Sequence, residues 1–235
     1  MRLLLWAAGP ALNHIFLCST MRARFSATYS IEPRSCIISN SAFVEVGAGT
    51  RIPTGQLTVG LLSNLTREKG LHTFLELSHR LHAERVPAKL ILAGPTINEH
   101  DRNLVNKACQ TLGEMLEYRG PLYDRMKEQF YEEIDVFLFP TEYQHEAEPT
   151  VLFEALSAGA LVIAFNRGCI ATQIGMNGLL IPTGDDFVRH SLKYLQAATL
   201  LLPETRAERK KRIASYAQLH ETSLRSLTTL FSHSA

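Results

Sequence analysis

Two glutamates eight positions apart, Glu146 and Glu154, are the residues with the clearest chemical potential in the chain. Glu154 stands among apolar neighbours in residues 151–156, and a carboxylate in that setting needs a polar partner. Pro149 and Thr150 mark the predicted first turn of a helix, where the missing proline N–H costs nothing. The free N–H groups and the dipole at that turn would attract a phosphate. Glu154, about one turn further in, could accept two hydrogen bonds from a ribose diol.

Lys69 is the third candidate, and it lies in the polar turn that follows an apolar run at residues 57–62. Its ammonium group could reach the same diphosphate as a point charge. The alternative interpretation is that Glu146 and Glu148 are solvated loop charges and that Glu154 faces water. The apolar neighbours of Glu154 weaken this alternative for that residue.

The elements that must position these residues follow from the hydrophobic pattern. Apolar runs that predict strands alternate with segments of helical periodicity. The predicted strands are residues 57–62, 88–94, 136–139, 160–165 and 178–182. Because these runs are continuously apolar, both faces of the sheet should be covered, which is typical of a parallel sheet. The pattern therefore predicts an α/β, doubly wound domain from about residue 57 to the end, with its ligand site beyond the carboxyl ends of the strands.

Several function classes are excluded by composition and motifs. The formal charge is +1 across 235 residues, which gives no cationic field for nucleic acid. The chain has no P-loop, and its G-x-G, Gly47 to Gly49, continues into Ile52 and Pro53 where a dinucleotide-binding helix should open. No run of about 18 uncharged apolar residues predicts a transmembrane segment.

The four cysteines, Cys18, Cys36, Cys109 and Cys169, are scattered. They show no CxxC spacing and no nearby histidine pair. This argues against a zinc site or a disulfide framework and favours a reducing, cytoplasmic location.

The chain resembles the C-terminal half of a family-4 (group 1) glycosyltransferase with the GT-B fold, which is built from two Rossmann-like domains. The resemblance depends on six segments that occur in the family's order and spacing. They are SNLTREKG, AKLILAGP, EYRGPL, IDVFLFPT, EAEPTVLFE and GLLIPTGD, of which the fifth is the E-x7-E signature. This resemblance implies a domain at residues 57–235 that binds the nucleotide-sugar. Residues 1–56 would be a remnant of the N-terminal acceptor domain with its linker.

The resemblance also implies roles for individual residues. Glu154 would bind the ribose hydroxyls, Glu146 the donor sugar, and Lys69 the diphosphate. The implied donor-binding residues are Asn64, Lys69, Glu146, Glu148, Pro149, Thr150, Val151 and Glu154, of which Glu146 and Lys69 are the implied catalytic residues. Asn64 occupies the position where the family commonly has an arginine, so less positive charge would face the diphosphate. The sequence predicts no metal ligand and no cofactor besides the donor.

The function that the resemblance implies is metal-independent transfer of a sugar, with retention of configuration, from a UDP- or GDP-sugar to a glycan or lipid-linked acceptor. Contact with a membrane surface would be peripheral. A different interpretation is a non-catalytic remnant that binds only a nucleotide or a partner protein. A GT-B sugar-nucleotide epimerase is a third interpretation, but such enzymes normally lack the glutamate pair.

Overall fold

The computed structural model describes residues 12–49 and 55–232. The predictions that concern residues 1–11 and 50–54, including the end of the G-x-G segment, lie outside these residues. The first described elements are strand β1 (His14–Phe16), helix α1 (Ser19–Tyr29) and strand β2 (Ser35–Ile37), and β1 pairs in parallel with β2. A 3-10 helix, Asn40–Phe43, then begins the linker to the main sheet. The predicted domain boundary at residue 56 stays a prediction.

The main sheet has six parallel strands that alternate with helices. They are β3 (Leu57–Leu62), β4 (Ala88–Ala93), β5 (Leu116–Tyr118), β6 (Val136–Phe139), β7 (Leu161–Phe165) and β8 (Gly178–Ile181). Their order across the sheet is β5-β4-β3-β6-β7-β8. Counted from β3, this is the order 3-2-1-4-5-6 of a doubly wound nucleotide-binding sheet. The fold class predicted from the sequence is confirmed.

Helices cover both faces of this sheet, as the continuously apolar strands require. The helices are α2 (Leu71–Ala83), α3 (Glu99–Leu112), α4 (Asp124–Glu133), α5 (Thr150–Ser157), α6 (Ile170–Ile174), α7 (Phe187–Leu200), α8 (Leu202–Ala207) and α9 (Arg209–Ser232). One apolar core joins α2, α3 and α7 to the sheet. The second core, on the opposite face, contains Phe130 of α4, Leu152 of α5 and Ile170 of α6. Among the described helices, none is both long and apolar enough to cross a bilayer.

The C-terminal helix α9 returns across the domain and holds the linker against α5. The Tyr216 hydroxyl donates to the Val44 carbonyl at 2.7 Å, and the Ser41 and Ser223 hydroxyls are 2.7 Å apart. His220 Nδ1 lies 2.8 Å from the Ser41 carbonyl oxygen. These bonds fix the linker next to the loop that carries Glu146.

A disulfide between Cys18 and Cys169 corrects the interpretation drawn from the cysteines. Cys18 precedes α1 and Cys169 precedes α6, and both are buried. The two residues are 151 positions apart, so no local spacing rule could detect a pair that only the tertiary fold brings together. Cys36 and Cys109 are free. The argument for a reducing compartment therefore loses its basis in cysteine spacing, and the cytoplasmic location stays a prediction.

Removal of this bond should destabilise the fold. Because the disulfide closes a long loop, we expect Cys18→Ser to lower the free energy of unfolding by about 2–4 kcal/mol. Urea denaturation with and without a phosphine reductant would measure this change, with Cys109→Ser as the control variant. The prediction fails if the reductant shifts the parent and Cys18→Ser midpoints equally, or if thiol titration of the unfolded, unreduced parent finds four free thiols.

Candidate functional site

The candidate site lies where the direction of the strand connections reverses, between β3 and β6. Lys69 is in the loop that follows β3, and Glu146 is in the loop that follows β6. The two strands are adjacent and parallel, with Val59 paired to Val136 and Gly60 to Phe137. Both loops therefore leave the same edge of the sheet, and in open α/β sheets this is the position where a crevice forms for a ligand.

Lys69 and Glu146 form an ion pair across this crevice. Lys69 Nζ lies 2.9 Å from Glu146 Oε2, and the side chains are 28% and 11% exposed. The same carboxylate oxygen accepts a hydrogen bond from Thr141 Oγ1 at 3.2 Å. Lys69 Nζ also lies 4.5 Å from the centre of the Tyr143 ring, a cation–π contact. The structure thus brings together the two residues predicted to be catalytic.

Gly70 allows the two loops to approach this closely. Its φ is +90°, in the region that favours glycine, and a Cβ at this position would lie 2.6 Å from the Pro140 carbonyl oxygen. A larger residue would push the loop after β3 away from the loop after β6. Because Lys69 is the preceding residue, that displacement would also separate its ammonium group from Glu146.

The cleft at this edge has a volume of about 610 Å³. It is lined by six of the eight predicted donor-binding residues, namely Asn64, Lys69, Glu146, Pro149, Thr150 and Val151. No side chain among the described residues caps the first turn of α5, which begins at Thr150. Uncapped amides and the positive end of a helix dipole attract anions, so this part of the cleft suits a negatively charged group. A ligand contact for these residues stays a prediction.

Glu154 lies one turn inside α5, and both of its carboxylate oxygens have partners. Lys127 Nζ lies 2.6 Å from Oε1, and the Tyr131 hydroxyl donates to Oε2 at 2.8 Å. Burial, together with the neighbouring Glu154 charge, raises the pKa of Tyr131 well above its ordinary value. The phenol therefore remains a hydrogen-bond donor at neutral pH, and it orients the carboxylate.

Glu154 lines a second cleft rather than the first. This cleft, of about 620 Å³, lies between linker residues 43–48 and the helices α4 and α5. Asp124 and Lys127 line both clefts. The three charged residues identified from the sequence therefore occupy two adjoining clefts, and the Lys127 side chain lies between them.

Glu148 is directed away from both clefts, although the resemblance implied donor contacts near it. Its carboxylate accepts hydrogen bonds from the Ser39 hydroxyl at 3.1 Å and from the Asn40 backbone N–H at 2.7 Å. The Asn40 side-chain amide donates to the Glu148 carbonyl at 2.8 Å. Burial raises the pKa of Glu148. The side chain thus joins the linker to the site loop, and its donor contact stays a prediction.

Sequence reasoning missed Lys127 and Tyr131, which hold Glu154. They lie in the segment of residues 122–134, in which apolar residues recur every four positions and predict a helix. Lys127 and Tyr131 are themselves four residues apart, so they share one face of α4. The spacing of these two polar residues could have predicted their role, because it directs an ammonium group and a hydroxyl group towards one partner.

The loop after β5 belongs to the EYRGPL segment, and its arginine, Arg119, forms ion pairs with glutamates that do not line the first cleft. Arg119 contacts Glu117 at 2.7 Å and Glu133 at 2.7 Å, and Lys89 contacts the same two glutamates. Hydrogen bonding from Arg119 lowers the pKa of Glu117 to about 2. The uncharged residues Pro121 and Leu122 line the first cleft instead.

Solved structures share this fold. Anabaena HepE in complex with UDP-glucose aligns with a TM-score of 0.70 at 17% identity, over 93% of this chain and 63% of that one. A variant of S. aureus TarM in complex with UDP, fondaparinux and α-GlcNAc-glycerol aligns with a TM-score of 0.71 at 19% identity, over 92% and 43% of the two chains. WaaG, a glycosyltransferase of lipopolysaccharide biosynthesis, gives a TM-score of 0.64 at 19% identity, over 86% and 58%. The chain thus spans about two fifths to two thirds of these proteins.

The sheet order and the cleft at the strand reversal define a Rossmann-like α/β domain of the GT-B type. A comparison with curated protein sequences gave no significant match. The family model for glycosyl transferases group 1 matches residues 47–219. The chain belongs to this glycosyltransferase family, as its sequence motifs predicted.

The ion pairs of Glu117 should make stability depend on pH in the acid range. Because the pKa of Glu117 is lowered from 4.5 to about 2, its contribution is present above pH 4.5 and is lost as the pH falls towards 2. We expect Glu117→Gln to reduce the loss of unfolding free energy over this range. The difference should stay below about 1 kcal/mol, since the side chain is partly screened by solvent. Urea denaturation at several pH values would measure it, and identical slopes for Glu117→Gln and the exposed-site control Glu114→Gln would contradict the prediction.

Proposed function

We propose that the chain forms the donor-binding half of a glycosyltransferase that moves a sugar from a nucleotide-diphospho-sugar to a glycan or lipid-linked acceptor. Family membership supports this proposal, and one observation carries it. Lys69 and Glu146 meet at the strand reversal beside the uncapped first turn of α5. A cation, an anion-binding helix end and a carboxylate at one edge suit a ligand that combines a diphosphate with a sugar.

The chemistry that this arrangement serves is departure of the nucleoside diphosphate. The bond between the anomeric carbon and the phosphate oxygen breaks, and the electron pair leaves on the diphosphate. The acceptor hydroxyl oxygen bonds to the anomeric carbon, and its proton passes to the departing diphosphate. Lys69 and the amides of Thr150 and Val151 would stabilise the negative charge that develops there. Glu146, after releasing Lys69 to the diphosphate, would accept hydrogen bonds from hydroxyl groups of the donor sugar. The protein's contribution is thus positioning and electrostatic stabilisation.

Lys127 supplies a charge that Asn64 does not. The family commonly has an arginine at the position of Asn64, and in this chain Asn64 and Lys127 line the same cleft. In the free protein Lys127 is paired with Glu154 at 2.6 Å. We propose that the ribose diol replaces Lys127 on Glu154 and that the released ammonium group moves to the diphosphate. Tyr131 would remain bonded to Glu154 and hold it in place.

The donor proposed is a UDP-sugar, with a GDP-sugar as the alternative. HepE was crystallised with UDP-glucose and TarM with UDP, and both share the fold of this chain. Retention of configuration and independence of a metal ion are part of the proposal because they come from the family resemblance. The acceptor is proposed to be a glycan or a lipid-linked glycan, and the part of these proteins that this chain does not span would contribute to binding it.

A second candidate function is binding of the nucleotide without sugar transfer. The first cleft, which six of the predicted donor-binding residues line, supports this candidate as much as the first candidate. Release of UDP from UDP-glucose in the presence of an oligosaccharide acceptor would separate the two candidates. Binding without release would support the second candidate, and release would support the first.

The carboxylate of Glu154 should dominate nucleotide affinity. A hydrogen bond to a charged group contributes about 1.5–3 kcal/mol, so we expect Glu154→Gln to weaken UDP binding by about 10- to 100-fold. Isothermal titration calorimetry with UDP would measure this change. Glu142→Gln, which alters an exposed glutamate of the loop between β6 and α5, should bind UDP as the parent does. Equal affinity in the two variants would remove Glu154 from the proposed site.

Lys127 should affect the diphosphate and the nucleoside in different ways. We expect Lys127→Met to weaken UDP binding by about tenfold, which corresponds to about 1.4 kcal/mol. Binding of uridine, which has no phosphate, should not weaken, because the variant leaves Glu154 free to accept the diol. The exposed Arg125 on the same helix provides the control Arg125→Met. If UDP binds Lys127→Met and Arg125→Met equally well, Lys127 does not contact the diphosphate.

A further inference from the structure

Three potential metal ligands meet outside both clefts, at the first turns of two neighbouring helices. His72 lies on α2, and His100 and Asp101 lie on α3. One ligand atom from each residue lies within 4.8 Å of the other two. The two imidazole rings are stacked with an angle of 25° and a centroid distance of 6.3 Å. His72 Nε2 lies 3.9 Å from Asp101 Oδ1.

Asp101 is held in position by its neighbour Asn98. The Asn98 side-chain Nδ2–H donates to Asp101 Oδ2 at 2.8 Å, and the Asn98 side-chain oxygen Oδ1 accepts from the Asp101 backbone N–H at 2.8 Å. Asp101 is only 4% exposed. Its second carboxylate oxygen, Oδ1, is the atom nearest to His72. A carboxylate that is oriented by an outer hydrogen bond, with one oxygen towards imidazole nitrogens, is the usual construction of a metal ligand and its supporting shell.

We propose that His72, His100 and Asp101 form a binding site for a divalent transition-metal ion of the zinc class. Imidazole nitrogens with a single carboxylate suit zinc, copper or nickel, whereas magnesium and calcium require a larger set of oxygen ligands. Bond lengths of about 2.0–2.1 Å place the ligands of a tetrahedral zinc ion about 3.3 Å apart. The His72–Asp101 pair must therefore close by about 0.6 Å and the widest separation by up to about 1.5 Å, and rotation of the His72 and His100 side chains can supply these movements. The fourth position would be occupied by water.

The position of the proposed metal site at two helix first turns determines its affinity for the ion and the effect that a bound ion would have on the structure. Helix first turns carry partial positive charge, and Asp101 is the one anionic ligand of the three, so we expect dissociation constants in the micromolar range. Lys69 is three residues before His72, and α3 follows the loop of Gly94 and Pro95 that lines the first cleft. A bound ion would therefore join the two helices that follow the cleft loops after β3 and β4. The site requires no nucleotide-sugar, so it is independent of the proposed function.

Calorimetric titration of the chain with zinc chloride, without nucleotide, tests the site. We expect one zinc ion to bind the parent with micromolar affinity. His72→Ala and His100→Ala should each weaken binding by at least about tenfold, since loss of even a supporting group costs that much at metal sites. His82→Ala, an exposed histidine on the same helix as His72, should bind zinc as the parent does. Equal binding by the parent and all three variants would place the ion elsewhere and overturn the proposal.

Thermal unfolding gives a second measurement that does not depend on calorimetric heats. Zinc should raise the melting temperature of the parent and of His82→Ala but not that of His100→Ala, because only a ligand of the folded state stabilises it. In EDTA the parent and His100→Ala should melt at the same temperature, since His100 is exposed. An equal zinc-induced shift in the parent and in His100→Ala would overturn the proposal.

Discussion

The parallel pairing of β3 with β6 is the constraint on which the site depends. These strands are neighbours in the sheet although three helices and two strands separate them along the chain, and their pairing covers only two residue pairs. The pairing forces the connections after β3 and β6 to diverge to opposite faces of the sheet. The space left between them is the cleft, and Lys69 and Glu146 are adjacent because their loops leave the same edge. A shift in the register of either strand would separate these side chains without changing any residue of the site.

Gly60, in the middle of β3, extends this constraint to Glu154. A Cβ at Gly60 would lie 2.6 Å from Ile134 and 2.7 Å from Phe130, so the missing side chain lets the end of α4 pack directly on the strand. That packing fixes the height of α4 above the sheet. Lys127 and Tyr131 reach Glu154 from this helix. The loops that carry Lys69 and Glu146 and the helix that contacts Glu154 are thus positioned by the same central strand.

The charged groups of the free site neutralise one another. Lys69 pairs with Glu146, and Lys127 pairs with Glu154, so no described charge in this group is left without a partner. Such pairs keep the site ordered, but a ligand must displace them and recovers only the difference between old and new contacts. A nucleotide-sugar offers both phosphates for the lysines and hydroxyls for the glutamates. It can exchange both pairs at once, which a free phosphate or a free sugar cannot do.

The sequence predicted the parallel sheet, its alternation with helices and the family, because these depend on patterns that are local or occur in a fixed order. The apolar runs identified five of the six strands of the main sheet but not the short strand β5, and the segment from Glu146 to Glu154 identified the loop and helix of the site. Contacts between distant segments were not predictable in this way. Cys18 and Cys169, the orientation of Glu148 towards Ser39, and the meeting of His72 with His100 all arise from tertiary packing. The role of Lys127 could have been predicted, because Lys127 and Tyr131 are four residues apart and therefore share one face of a helix.

The bond between Cys18 and Cys169 makes most of the chain a covalently closed ring. The ring includes the main sheet from β3 to β7 and every loop that lines the first cleft. A protease that cuts one exposed loop between Cys18 and Cys169 breaks the backbone but does not release a fragment, because the disulfide still joins the two parts. The two parts of a nicked molecule would migrate together under non-reducing conditions and separate only when the sulfurs are reduced. The loop that carries Glu146 therefore remains attached to strand β1 and helix α1 even after backbone cleavage between them.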